Sequence, residues 1–252
     1  MRCPTSPSLS QSSSPASEPA GRLKRAYIRF CLRLWISSYL RVRLTGLENV
    51  PRDKPYLLNF SHPNWVDPFL VVAFWPNRPR VFIFGPREEQ MKFGWRNRLI
   101  AWTGIAVPFK PSKSDLLDTT RRATTVLKRG HVLAIAGEGR LSDREGAIVP
   151  LEDGAAFFAL RARVPIVPVA IIGTRWLHFR KVVTLKAGAP LELDGLRPNR
   201  EGMATLTARL QERMEDLLAG VEEDPPPGPI GRWVTEVFNE RPWLNAPPPT
   251  SG

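Results

Sequence analysis

The segment NFSHPNWVDPF, residues 59–69, holds a histidine and an aspartate in the spacing His-x4-Asp, in a chain with three histidines in all. A carboxylate hydrogen-bonded to one imidazole nitrogen fixes the tautomer and makes the other nitrogen a stronger base, so His62 and Asp67 together have the composition of a general-base pair. Each also has an ordinary explanation. His62, followed by Pro63, sits in a polar turn, where a lone histidine is usually structural or simply exposed. Asp67 before Pro68 is a standard helix start, with Asp as N-cap and Pro in the first helical position. No GxSxG elbow accompanies the pair, no second histidine stands at metal-ligand spacing, and neither Cys3 nor Cys31 has an activating context. A catalytic pair here would need its nucleophile from a substrate hydroxyl.

A second stretch, AGEGRLS at 136–142, places two glycines, a carboxylate, an arginine and a serine at the end of an apolar run. Gly137 and Gly139 allow the backbone to approach a ligand, and Arg140 can hold a phosphate. The plainer reading is a glycine-rich turn with a solvated charge pair.

Both stretches follow apolar runs that read as strands. Residues 56–60 form a short buried strand, and Asp67-Pro68 opens an apolar helix through Trp75. Next come a strand RVFIFG, an amphipathic helix REEQMKFGWRNRLIAW ended by Gly104, a strand GIAVP, and a helix over 114–129 closed by Gly130. A strand HVLAIAG, a helix over 154–163, apolar VPIVPVAIIG, a strand KVVTLKAG and a helix over 199–219 complete the body. This alternation predicts an α/β fold with a central mixed sheet flanked by helices.

The chain carries a formal charge of +12, with 36 basic against 24 acidic residues, which favours an anionic partner: nucleic acid, phospholipid head groups or a phosphorylated substrate. Residues 1–20 are Ser/Pro-rich, with almost nothing to bury, and are expected to be disordered. They lack the apolar core of a secretory signal, and no apolar run reaches membrane-spanning length, so the body is expected to stay cytoplasmic. Residues 21–45 thread basic residues through Leu, Ile, Phe, Trp and Tyr without any acid. On a helix, Arg22, Arg25, Arg29 and Arg33 form a stripe, with Phe30 and Trp35 among the apolar residues around it. This predicts a basic amphipathic membrane-interface helix. A solvated stripe on a helix packed against the domain, and nucleic-acid binding, are the competing readings. The expected division is a leader (1–20), a membrane-binding segment (21–45), a catalytic domain (46–220) and a Pro-rich extension with a short helix (221–252).

Taken in order, these blocks resemble the phospholipid and glycerol acyltransferases of the 1-acylglycerol-3-phosphate acyltransferase type. Ser61-His62-Pro63-Asn64-Trp65-Val66-Asp67-Pro68 is a complete match to the family's HxxxxD block. Residues 87–110, with Gly94, Gly104 and Lys110, are similar to its second block. Ala136-Gly137-Glu138-Gly139-Arg140-Leu141-Ser142 is similar to its third, usually Phe-Pro-Glu-Gly-Thr-Arg-Ser, with Leu141 in the arginine position and Arg140 in that of the threonine. Residues 164–169, VPIVPV, are similar to its fourth, and Asp153 stands where a lysine is common. The resemblance implies an acyl-CoA or acyl carrier protein donor, a lysophosphatidic acid acceptor giving phosphatidic acid, and no metal or redox cofactor. It implies His62 as base and Asp67 as its support. Glu138, Gly139, Arg140 and Ser142 would orient the acceptor, and Arg87 and Lys110 would hold phosphate. It implies peripheral or monotopic attachment at an anionic, cytoplasmic membrane face, with no nucleic-acid partner. Another acceptor (glycerol 3-phosphate, a lysophospholipid or an amino-acid lipid) and an inactive binding protein are the alternatives.

Overall fold

The computed structural model describes residues 19–87, 104–109, 113–142 and 144–239. The chain runs α1 (Pro19–Tyr39), β1 (Arg41–Thr45), β2 (Leu57–Phe60), α2 (Asp67–Phe74), β3 (Val81–Arg87) and β4 (Ala106–Phe109). It continues through α3 (Lys113–Lys128), β5 (Val132–Ala136), α4 (Gly154–Ala162), β6 (Ile166–Ile172), β7 (Val182–Ala187), α5 (Arg200–Leu218) and α6 (Pro229–Asn239). The helix expected between β3 and β4 lies outside the described residues.

The strands form one seven-stranded sheet in the order β1-β7-β6-β2-β5-β3-β4. Neighbours are parallel except at β6–β7, so the sheet is mixed, with β1 and β7 running against the other five. The two-residue period sorts each central strand onto two cores. Leu58, Phe60, Val132, Ala134, Val167, Val169 and Ile171 face α1 and α2. Leu57, Leu133, Ile135, Ile166 and Ala170 face α3, α4 and α5.

Two sequence expectations change. Arg41–Thr45, assigned to the membrane segment, is the edge strand β1, paired in register with Val182–Lys186. Within the arginine stripe of α1, Arg29 and Arg33 reach back to the protein, for a hydrogen-bonding reason. Arg29 donates to Ala73 O (3.0 Å) and Trp75 O, and Arg33 to Ala73 O (2.7 Å). The last turn of α2 has carbonyls without helical partners and a negative dipole end, both of which guanidinium groups satisfy. Burial and the neighbouring Arg33 lower the Arg29 pKa to about 10. On the same side, Ile28, Leu32, Ile36 and Leu40 are buried, while Leu23, Tyr27, Phe30, Leu34 and Trp35 are exposed. The outer face of α1 is therefore apolar. Arg25 is half-buried, and the side chain of Arg22 lies outside the described residues.

Candidate active site

Strand β2 lies between β6 and β5, and all three run parallel, so their carboxyl ends open at one edge of the sheet. Such an edge is where open α/β sheets place ligands. Residues 61–66 leave β2 there, residues 137–142 leave β5, and residues 173–175 leave β6.

The first loop is fastened at its start. Ser61 Oγ accepts Ile171 N–H at 2.8 Å and donates to Ile171 O at 3.3 Å, and Ser61 N–H donates to Val169 O at 3.1 Å. Asn64 then makes a tight turn, accepting Val66 N–H on Oδ1 at 3.0 Å, while Asp67 N–H donates to Asn64 O at 3.1 Å. This turn moves the helix start by one residue. Val66, not Asp67, is the N-cap of α2, and Asp67 is its first residue.

The Asp67 carboxylate turns back into the loop. Its Oδ2 lies 3.0 Å from His62 Nδ1 and accepts Asn64 N–H at 2.7 Å. Asp67 is fully buried and His62 is 7% exposed. The His62 ring meets Phe60 and Trp65 edge-on, with centroids 5.9 and 5.6 Å away. An ionised Asp67 can only accept, so Nδ1 carries the proton and Nε2 presents its lone pair. Burial raises the Asp67 pKa, opposed by the His62 and Asn64 hydrogen bonds and by the fully buried Thr174. The Thr174 hydroxyl lies beside the carboxylate without a hydrogen bond of ordinary geometry, and Asp67 Oδ1 and Thr174 Oγ1 are otherwise unpartnered.

Glu138 binds the second loop to the first. Its carboxylate accepts His62 N–H at 3.0 Å, Val149 N–H at 3.1 Å and the Ser142 hydroxyl, while Ser142 N–H donates to His62 O at 2.9 Å. Glu138 and Ser142 are buried, with their polar groups spent on protein partners. These bonds hold the loop that carries His62 against the loop that follows β5. Gly137 must be glycine, since a Cβ there would fall 2.1 Å from Asn59 Oδ1. Gly139 has φ 65°, and it and Arg140 are exposed beside these loops. Arg87 ends β3, with its side chain outside the described residues, as Lys110 is entirely.

Sequence reasoning missed Glu145. Its carboxylate accepts Gly173 N–H at 2.7 Å and Arg175 N–H at 2.9 Å, clamping both sides of Thr174, and burial raises its pKa. In sequence, nothing local to Glu145 reveals the clamp. A separate cleft of about 410 Å³ is lined by Leu191, Asp194, Arg209 and Arg213. Leu191 pairs with Ile166 at the start of β6, so this cleft opens at the opposite edge of the sheet from His62.

Residues 41–172 match the model of the family described as Acyltransferase. A 1-acyl-sn-glycerol-3-phosphate acyltransferase of Bacillus subtilis is 25% identical over 75% of this chain and 96% of its own. The chloroplastic BAT2 enzyme of that name from Brassica napus is 24% identical over 61% of this chain, and the yeast enzyme 24% over 74%. The aligned stretch spans 44% of the Brassica protein and 62% of the yeast one. The crystal structure of the 1-acyl-sn-glycerophosphate acyltransferase PlsC from Thermotoga maritima shares the fold, with a TM-score of 0.61, 22% identity, and coverage of 82% of this chain and 85% of that one. With the family match extending from β1 through the end of β6, across the loops at 61–66 and 137–142, the chain belongs to the Acyltransferase family.

Proposed function

We propose that the protein transfers a fatty acyl group from an acyl thioester, acyl-CoA or acyl carrier protein, to the hydroxyl of lysophosphatidic acid, giving phosphatidic acid. The observation that carries this reading is the buried His62 Nδ1 to Asp67 Oδ2 hydrogen bond, which leaves Nε2 as a base at the open edge of the sheet. The names of the relatives supply the acceptor. His62 Nε2 takes the acceptor's proton as its oxygen attacks the thioester carbonyl, and Asp67 supports the imidazolium. The new ester C–O bond forms, the C–S bond breaks, and the imidazolium returns its proton to the leaving thiolate. No acyl-enzyme is needed, because the hydroxyl being acylated is the nucleophile, and positioning it supplies much of the acceleration.

Arg140 is an exposed cation in the loop after β5 and is assigned to the acceptor phosphate. Arg87 and Lys110 are assigned to phosphate or the donor's phosphopantetheine. The body extends from β1 through α5. It rests on the cytoplasmic face of a membrane through the outer face of α1, whose segment carries no acidic residue. Among the described residues, no helix is long and apolar enough to cross a membrane.

The test is transfer from labelled oleoyl-CoA and oleoyl-acyl carrier protein to lysophosphatidic acid, glycerol 3-phosphate and neutral-headgroup lysophospholipids. His62→Ala should lower kcat by about 10²- to 10⁴-fold without changing vesicle binding. Full activity in that variant would defeat the mechanism. Transfer only to another acceptor would defeat the substrate assignment alone.

A further inference from the structure

Among the described side chains of helix α6, the fully buried ones are small or polar. They are Gly231, Thr235 and Asn239, which recur at every fourth residue. Thr235 Oγ1 accepts Leu177 N–H at 2.8 Å and donates to Gly231 O at 2.8 Å, and Asn239 Oδ1 accepts Trp65 N–H at 3.1 Å. Gly231 allows the close approach: a Cβ there would lie 2.7 Å from Pro227 and 3.0 Å from Leu177 O. Val234 packs against the core, while the opposite face carries Ile230 and Trp233, 78% and 65% exposed, with Val237 half-buried beside them. A helix that only served the fold would turn these apolar side chains inward.

A further exposed aromatic stands between α6 and the end of α1. Leu177, fastened to α6, is followed closely by Phe179, which is 62% exposed and packs edge-on against Tyr39 in the last turn of α1, with centroids 6.0 Å apart. The outer face of α1 then adds Leu23, Tyr27, Phe30 and Leu34. Residues 19–45 contain no acid, and α6 itself exposes Arg232. Of the acids nearby, Glu223 is paired with Arg175 and Trp176, and Asp224 with Lys181, while Glu222 and, on α6, Glu236 are exposed.

We infer that α6 is a second lipid-surface element. Ile230 and Trp233 enter the headgroup boundary of an anionic bilayer, while the polar inner face fastens the helix to the loop that carries His62. Tryptophan and isoleucine beside arginine suit that boundary. The choice of a bilayer as occupant rests on the lipid-acceptor reading, since the acceptor then arrives from the surface that α6 touches.

The experiment is sedimentation of the full chain with phosphatidylglycerol/phosphatidylcholine vesicles, with no turnover measured, so that failure of the enzymatic reading does not enter it. Ile230→Ser with Trp233→Ser should lower the partition coefficient about tenfold or more. Glu236→Lys should raise it at low salt, a gain that misfolding does not produce. Vesicle binding unchanged in the double variant overturns the inference. So does unchanged vesicle binding accompanied by a smaller lipid-free particle in sedimentation velocity, which assigns the face to a second copy of the chain.

Discussion

Asp67 serves His62 at a cost in stability. It is fully buried, and burial raises its pKa despite the hydrogen bonds it accepts. A carboxyl whose folded pKa exceeds its unfolded value of about 3.9 holds its proton more tightly in the fold. Its stabilising contribution is therefore fully present below that unfolded value and is lost as pH rises through the raised folded one. At neutral pH the ionised side chain orients the imidazole while opposing folding. Asp67→Asn keeps an oxygen for Asn64 N–H and removes the charge. Thermal melts at about pH 7.5 should show a Tm no lower than that of the parent, with any excess shrinking as pH falls towards about 4. Its kcat should fall by about 10²- to 10⁴-fold, because the tautomer is no longer enforced. A Tm well below the parent at neutral pH would show that the ionised carboxylate is a net stabiliser.

At the scale of elements, the loops are held by polar groups that reach across the chain, and α6 is the most distant of them. Thr235→Val would leave Leu177 N–H buried without an acceptor, costing about 1–3 kcal/mol, whereas Thr235→Ser keeps the hydroxyl and should stay close to the parent. Denaturant melts of the two variants check this, and equal loss in both would assign the effect to packing. Such long-range latches explain what was legible in the sequence. Apolar periodicity marked the described strands other than β1 and the helices of the body, and the His-x4-Asp spacing pointed to the pair that the fold brings within 3.0 Å. It did not show which side of α1 faces inward, because the carbonyls of Ala73 and Trp75 that receive Arg29 lie 44 and 46 residues along the chain. The start of α2 was one residue off because the Asn64 turn takes up the preceding residues. The sequence singled out Glu138 but not its hydrogen bonds, since its partners His62 and Val149 are invisible from a local motif. Glu145 and Thr174 were missed for the same reason.

For the whole molecule, α1 has two duties that a truncation confounds. Ile28, Leu32 and Ile36 complete the core on one face of the sheet, and Arg29 closes the end of α2. Burying each such aliphatic side chain is worth about 1.5–3 kcal/mol, so removing residues 19–40 should unfold or aggregate the protein rather than merely release it from a membrane. The two duties separate by face. Phe30→Ser with Leu34→Ser changes only exposed positions and should leave the Tm close to the parent while weakening vesicle binding. Charge contributes independently. With a net +12, attachment to anionic vesicles should weaken as NaCl rises from about 0.05 to 0.5 M and the screening length shortens. In the double variant, the binding that persists should be the more salt-sensitive, because its apolar share has been removed. Sedimentation of both proteins across this salt range checks the assignment. Equal binding of the two at every salt concentration would remove the outer face of α1 from the membrane contact and leave attachment to charge alone.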